Sequence, residues 1–190
     1  FSGVATGGLQ SGYGDYVDGP VTGAYSYTGT GSFTPHVTVA FGAEALGASL
    51  GLSKWSTGYN DLVDVIYGGV SGGSPTSTDP VDLLVTFSAD PGYLASLESF
   101  DIGNWGPAAT LPFVRVEDES GAVLFEDLAV MLNPNTSPDE RNYVLNPAPV
   151  GRILTLRISV VGLGNTADNV GIDNVTFGES VDGSALGFST

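Results

Sequence analysis

Residues 152–160 read Arg-Ile-Leu-Thr-Leu-Arg-Ile-Ser-Val. Leu154, Leu156, Ile158 and Val160 fall on one side of an extended chain, and Thr155, Arg157 and Ser159 fall on the other. That period of two is the signature of a strand with one face buried and one face in water. Half-solvated strands belong to antiparallel sheets. Moving outward, Val81, Leu83, Val85 and Phe87 repeat the pattern against Asp82, Leu84, Thr86 and Ser88, and Val37, Val39 and Phe41 repeat it again. Further strands are predicted from Leu62 to Tyr67, Leu97 to Trp105, Pro112 to Glu117 and Ala122 to Leu128. The last two are joined by the turn EDESGA, where Gly121 takes positive φ.

Many short strands punctuated by Gly and Pro predict an all-β, jelly-roll-like β-sandwich of two antiparallel sheets. Val81, Leu83, Val85 and Phe87 should line its interior together with Leu154, Leu156, Ile158 and Val160. Helical periodicity is almost absent, and the one helical candidate is GAEALGASL, from Gly42 to Leu50. Val70 to Pro80 reads as a loop, as does Asn133 to Pro149, where Pro134, Pro138, Pro147 and Pro149 argue against a regular ladder. The 190 residues suit a single domain, 1–190, with extended arms at 1–11 and 181–190.

A formal charge of −16, from 21 acidic and 5 basic residues, excludes nucleic acid as a partner and disfavours anionic membranes. There is no cysteine, so neither disulfides nor thiol chemistry contributes. No run of 18 apolar residues is present, so no membrane insertion is expected. A chain beginning at Phe1, poor in Lys and rich in Gly, Ser and Thr, reads as a processed exported protein or an excised domain, placed outside the cell or at its surface.

The stretch Asn165 to Ser180, NTADNVGIDNVTFGES, raises the question of function. Uninterrupted alternation from Ile172 puts Asp173, Val175 and Phe177 on one face, so Asp173 enters at the margin of the core. A carboxylate there requires a metal ion, backbone N–H groups or a cation. Basic residues are scarce, which favours a structural Ca²⁺ held by oxygen ligands from Asp15, Asp18, Asp168, Asp173 and Asn174. As plain turn formers, Asp18 beside Gly19 and Asp168 beside Asn169 need no ion. A second surface is offered by KWSTGYNDLVDVIY, Lys54 to Tyr67. Trp55 and Tyr59 can stack on a sugar ring while Asn60 and Asp61 bond its hydroxyls, although such aromatics more often lie in the core.

Catalytic patterns are weak. Gly69 to Gly73, GVSGG, matches a nucleophile elbow in sequence but sits in a Gly/Ser loop, and the sole histidine, His36, precedes it. A carboxylate pair for glycoside hydrolysis leaves no sequence signature. No enzymatic activity is expected.

Five segments in order, GYGDYVDG, YTGTGSFTPHVTVAFG, WSTGYNDLVDVIYG, VTFSADPGYLASLESFDIGNW and NVGIDNVTFG, resemble exported bacterial proteins of the PEP-CTERM type. The chain departs from that pattern at GSALGFST, which has no PEP tripeptide, and at His36, where asparagine is the family's residue. The resemblance implies a secreted jelly-roll module associated with surface or matrix material. The expected function is therefore a non-catalytic extracellular structural protein that assembles with copies of itself in a surface layer, matrix or filament, by strand exchange through its terminal arms, stabilised by calcium. The alternative is a secreted carbohydrate-binding module whose partner is a polysaccharide.

Overall fold

The computed structural model describes residues 7–8, 34, 36–45, 48–50, 53–55, 57–63, 65–67, 81–163 and 169–184. In chain order the strands are β1 (Gly7–Gly8), β2 (Val37–Ala45), β3 (Ala48–Leu50), β4 (Ser53–Trp55), β5 (Val65–Tyr67), β6 (Val81–Ala89), β7 (Tyr93–Asn104), β8 (Ala109–Asp118), β9 (Val123–Leu132), β10 (Arg141–Val144), β11 (Val150–Gly151), β12 (Ile153–Ser159) and β13 (Val170–Val181). No α-helix appears among the described residues. The fold is an all-β, jelly-roll-like sandwich. A front sheet runs β1-β4-β5-β13-β7-β10, with β11 also on β7, and a back sheet runs β3-β2-β6-β12-β8-β9. All of these pairings are antiparallel.

The alternation read from the sequence places the core. Leu83, Val85 and Phe87 of β6 and Leu154, Leu156 and Ile158 of β12 are fully buried, with Val160 just beyond β12. They face Ile66, Phe100, Ile102 and Ile172 of the front sheet. Each such side chain contributes roughly 1.5–3 kcal/mol on leaving water. On the outward side of β12, Arg157 bonds Glu44 at 2.6 Å, Asp82 at 3.1 Å and Glu117 at 3.2 Å. Burial works against its charge, but the hydrogen bonds with Glu44 and Asp82 outweigh it and hold its pKa above the ordinary arginine value. The predicted turn forms, with Gly121 at φ 81°.

Three expectations are corrected. The segment from Gly42 to Leu50 is no helix: β2 continues to Ala45 and pairs with β3 through Ala43–Leu50, Glu44–Ser49 and Ala45–Ala48. Its alanines carry helix propensity, but β6 offers β2 a nine-residue ladder. The stretch from Asn133 to Pro149 contains a strand, β10, set between the prolines and paired to β7. The third correction concerns β13. Ile172, not Asp173, points into the core, because the chain gains a residue against β7 between Asp173 and Thr176. Asn174 takes φ 50° there, and the phase of alternation flips. Val175 and Phe177 do pack against the core, as expected. A second register shift, between Thr176 and Phe177, puts an extra residue on β7, so Ala95 and Leu97 face inward before it and Phe100 and Ile102 after it. The loop expected from Val70 to Pro80 lies outside the described residues except for Pro80's neighbour Val81, where β6 begins.

Candidate ligand site on the outer face of the front sheet

The flip in β13 turns Asp173 to the outer face of the front sheet, directly opposite Asp101 of β7 in the ladder. Asn142 of β10 stands opposite Asp101 on its other side. Two steps along the same face, Gly171 and Gly103 form the neighbouring pair. These two glycines create a shallow floor. A Cβ on Gly103 would lie 2.7 Å from the Tyr59 carbonyl oxygen, and one on Gly171 would lie 2.8 Å from the Tyr59 ring and 2.9 Å from Val65. Tyr59, Leu62 and Val65 consequently form a small second core outside the front sheet, joined by Tyr67. This cover keeps Asp101 and Asp173 only 5% and 6% exposed.

Asn60 fixes the covering loop. Its φ of 56° is one that asparagine tolerates better than most residues. The side chain then bridges three elements: Oδ1 accepts from the Asn104 amide at 2.8 Å, and Nδ2 donates to the carbonyls of Pro134 and Ser137 at 3.1 and 3.0 Å. Asn104 completes the clamp by donating to the carbonyls of Pro107 and Asn133 at 2.7 and 2.9 Å. The clamp draws the loop of Asp61 to the start of β10, where Asp61 hydrogen-bonds Glu140. That bond first, then burial and the nearby charges of Asp61 and Asp101, hold the Glu140 carboxyl above the usual glutamate range.

Two buried carboxylates side by side are tolerable when N–H donors face them. Asn142 Nδ2 donates to Asp101 Oδ1, and Asn174 Nδ2 donates to Asp101 Oδ2 at 2.7 Å. At the far end of the same row is Trp55, paired with Val65 across β4 and β5 and 43% exposed. Trp105, 49% exposed, packs against the other side of the covering loop. A Cβ on Gly58 would sit 2.7 Å from its indole, and Gly58 has φ 96°. The outer face thus combines two solvent-facing indoles with a row of carboxylates and amides.

Of the residues proposed from sequence as calcium ligands, Asp15, Asp18 and Asp168 lie outside the described residues. Asp173 is buried as expected, but beneath the covering loop instead of at the core's margin. Asn174 turns its amide nitrogen toward Asp101, which makes it a donor and not an oxygen ligand. Among the described residues no three acidic or histidine side chains are placed to hold a metal ion. Of the sugar-binding candidates, Trp55 and Asp61 are exposed. Tyr59 is not a stacking platform, because its ring is 4% exposed and lies over Gly103 and Gly171. Asn60 spends its amide on the clamp. Sequence reading missed Asp101, Asn142, Glu140 and Trp105. The cluster DIGNW within 101–105 held the only local signal, an acidic residue two positions before a glycine in a strand.

His36 is no general base in the described surroundings. It stacks on Tyr93 with ring centroids 3.7 Å apart and approaches Asp90 through Nδ1 at 3.3 Å. Ser71 lies outside the described residues. At the ends, Gly7–Gly8 pairs with Ser53 and Lys54 of the same chain, and Val181 pairs with Tyr93. No described helix is long and apolar enough to cross a membrane.

Comparison of the chain with protein-family models, with curated proteins and with solved structures finds no match in any of the three.

Proposed function

We propose that this chain is a non-catalytic, extracellular carbohydrate-binding module whose site is the outer face of the front sheet. The observation that carries the reading is one row of the ladder. It sets the exposed indole of Trp55 on the same face as Asp101, Asp173 and Asn142. An apolar plane beside a few fixed acceptors and donors is what a sugar ring requires, since its C–H face stacks and its hydroxyls need oriented partners. Carboxylates accept from vicinal hydroxyls while the amides of Asn142 and Asn174 hold them in place. The ligand suited to this face is a neutral polysaccharide, because uronates or sulfated sugars would meet Asp61, Glu140 and a chain of −16.

The test is binding of the whole chain to a broad set of soluble neutral and acidic polysaccharides by titration calorimetry. Trp55→Ala should reduce binding at least about tenfold, a loss of roughly 1.4 kcal/mol, with an unchanged circular dichroism spectrum. A blank result across the neutral set, or binding indifferent to Trp55→Ala and Trp105→Ala together, removes the proposal. Self-assembly through terminal arms has less support. The described portions of those arms, Gly7–Gly8 and Val181, are already used in pairing within the chain.

A further inference from the structure

We infer that β9 is the surface through which two copies of this chain associate, edge to edge across a two-fold axis. The inference is independent of glycan binding, since β9 belongs to the other sheet.

Sheet edges invite pairing, and natural sandwiches blunt them by keeping edge strands short or by placing Lys or Pro on them. Among the described residues, the other edges follow this rule. β1 has 2 residues, β3 has 3, and the far edge of the front sheet is made by β10, with 4, and β11, with 2. β9 does not: it has 10 residues, VLFEDLAVML, without Lys or Pro. Ala129, at φ 53°, kinks it and confines regular pairing to 123–128. This edge also gathers exposed apolar side chains, with Val123, Leu124, Leu128 and Met131 on β9 and Val144 beside them on β10. β9 and β10 are neighbours across the sandwich, joined by Tyr143 Oη donating to Asp127 at 3.0 Å.

Charge selects a second copy as the occupant. Two chains of −16 repel over most of their surfaces. Along β9 the acids are answered within the subunit: Arg141 bonds Asp127 at 3.0 Å, and Arg115 stands opposite Glu126 in the ladder. The strip is close to neutral, so like chains approach here with least cost. A two-fold axis at Phe125 opposes Leu124 to the copy's Glu126 and Val123 to the copy's Asp127. No carboxylate then meets another across the join, and the inward Phe125 extends the core cluster into the copy.

The test uses the full chain in analytical ultracentrifugation over a range of concentrations, alone and as Leu124→Lys/Leu128→Lys. Both leucines are exposed, so the variant should keep the parent's far-ultraviolet spectrum and melting temperature at high dilution. Its dimer dissociation constant should rise about tenfold or more. The absence of native cysteine permits a second readout. An oxidised equimolar mixture of Leu124→Cys and Glu126→Cys should form interchain disulfides that neither variant forms alone, since directly opposed residues fall within disulfide reach. A monomer at every concentration up to about 1 mM overturns the inference. So does a dimer indifferent to the lysines and lacking the 124–126 cross-link.

Discussion

Asp101 and Asp173 stand directly opposite one another on β7 and β13, both buried, and both on the face turned away from the core. Like charges so placed repel. Asp101 is held by two asparagine amides, from Asn142 and Asn174, that arrive from opposite sides. The bulge that turns Asp173 outward is also what brings Asn174 to Asp101, so one irregularity both creates the carboxylate pair and stabilises it.

Asp101→Asn is therefore expected to be destabilising although it removes a charge. Its new amide nitrogen would confront the donor of either Asn142 or Asn174, leaving a buried donor unsatisfied at a cost of about 1–3 kcal/mol. Urea unfolding of the variant and of Asn174→Gly measures this. Asn174→Gly should cost less than Asn174→Val, because glycine accepts the left-handed backbone and valine does not. Equal costs for the two would show that the φ of residue 174 carries no weight.

Glu140 gives the fold a pH dependence with a defined sign. Its pKa is raised, chiefly by the hydrogen bond with Asp61, so the folded chain holds the proton more tightly than the unfolded one. The contribution is full below the ordinary glutamate value of 4.5 and is lost as pH rises through the raised value. Glu140→Gln keeps a donor that does not titrate. It should be more stable than the parent at about pH 7 and no more stable at about pH 3.5, as read by thermal melts across that range. Parallel profiles for the two proteins would remove Glu140 from the account.

Gly171 supports the covering loop by having no side chain. Gly171→Ala drives a methyl group into Tyr59 and Val65, which both belong to the small outer core. A cost of about 1–3 kcal/mol follows from overpacking, with faster amide exchange in 57–63 while the back sheet stays protected. An alanine variant as stable as the parent would mean that the Tyr59 cover yields freely.

Calcium is expected to leave the melting temperature within about 2 °C of its value in EDTA, a shift of under roughly 1 kcal/mol for a chain of this size. The reason is that both Asp101 oxygens already accept N–H donors and Asn174 faces them with nitrogen. A larger calcium-dependent rise that disappears in Asp173→Asn would return Asp173 to the role of ligand.

The sequence by itself determined the all-β class, the inward residues of β2, β6 and β12, the turn at Gly121, and a chain that owes nothing to disulfides. Each of these is local: side chains alternate for as long as the ladder is regular, and a turn is decided by the few residues within it. Tertiary structure decided where the ladder stops being regular. The extra residues near Asn174 on β13 and Glu98 on β7 exist only as a mismatch between two paired strands, so neither strand's own alternation reveals them. They move Asp173 from the core to the outer face and hide Asp101 from a reading of LESFDIGNW. The meeting of Asp61 with Glu140, and of Trp55 with the same sheet face, likewise depends on the Asn60 clamp. That clamp satisfies backbone groups from segments far apart in the chain, and no local pattern can encode their proximity.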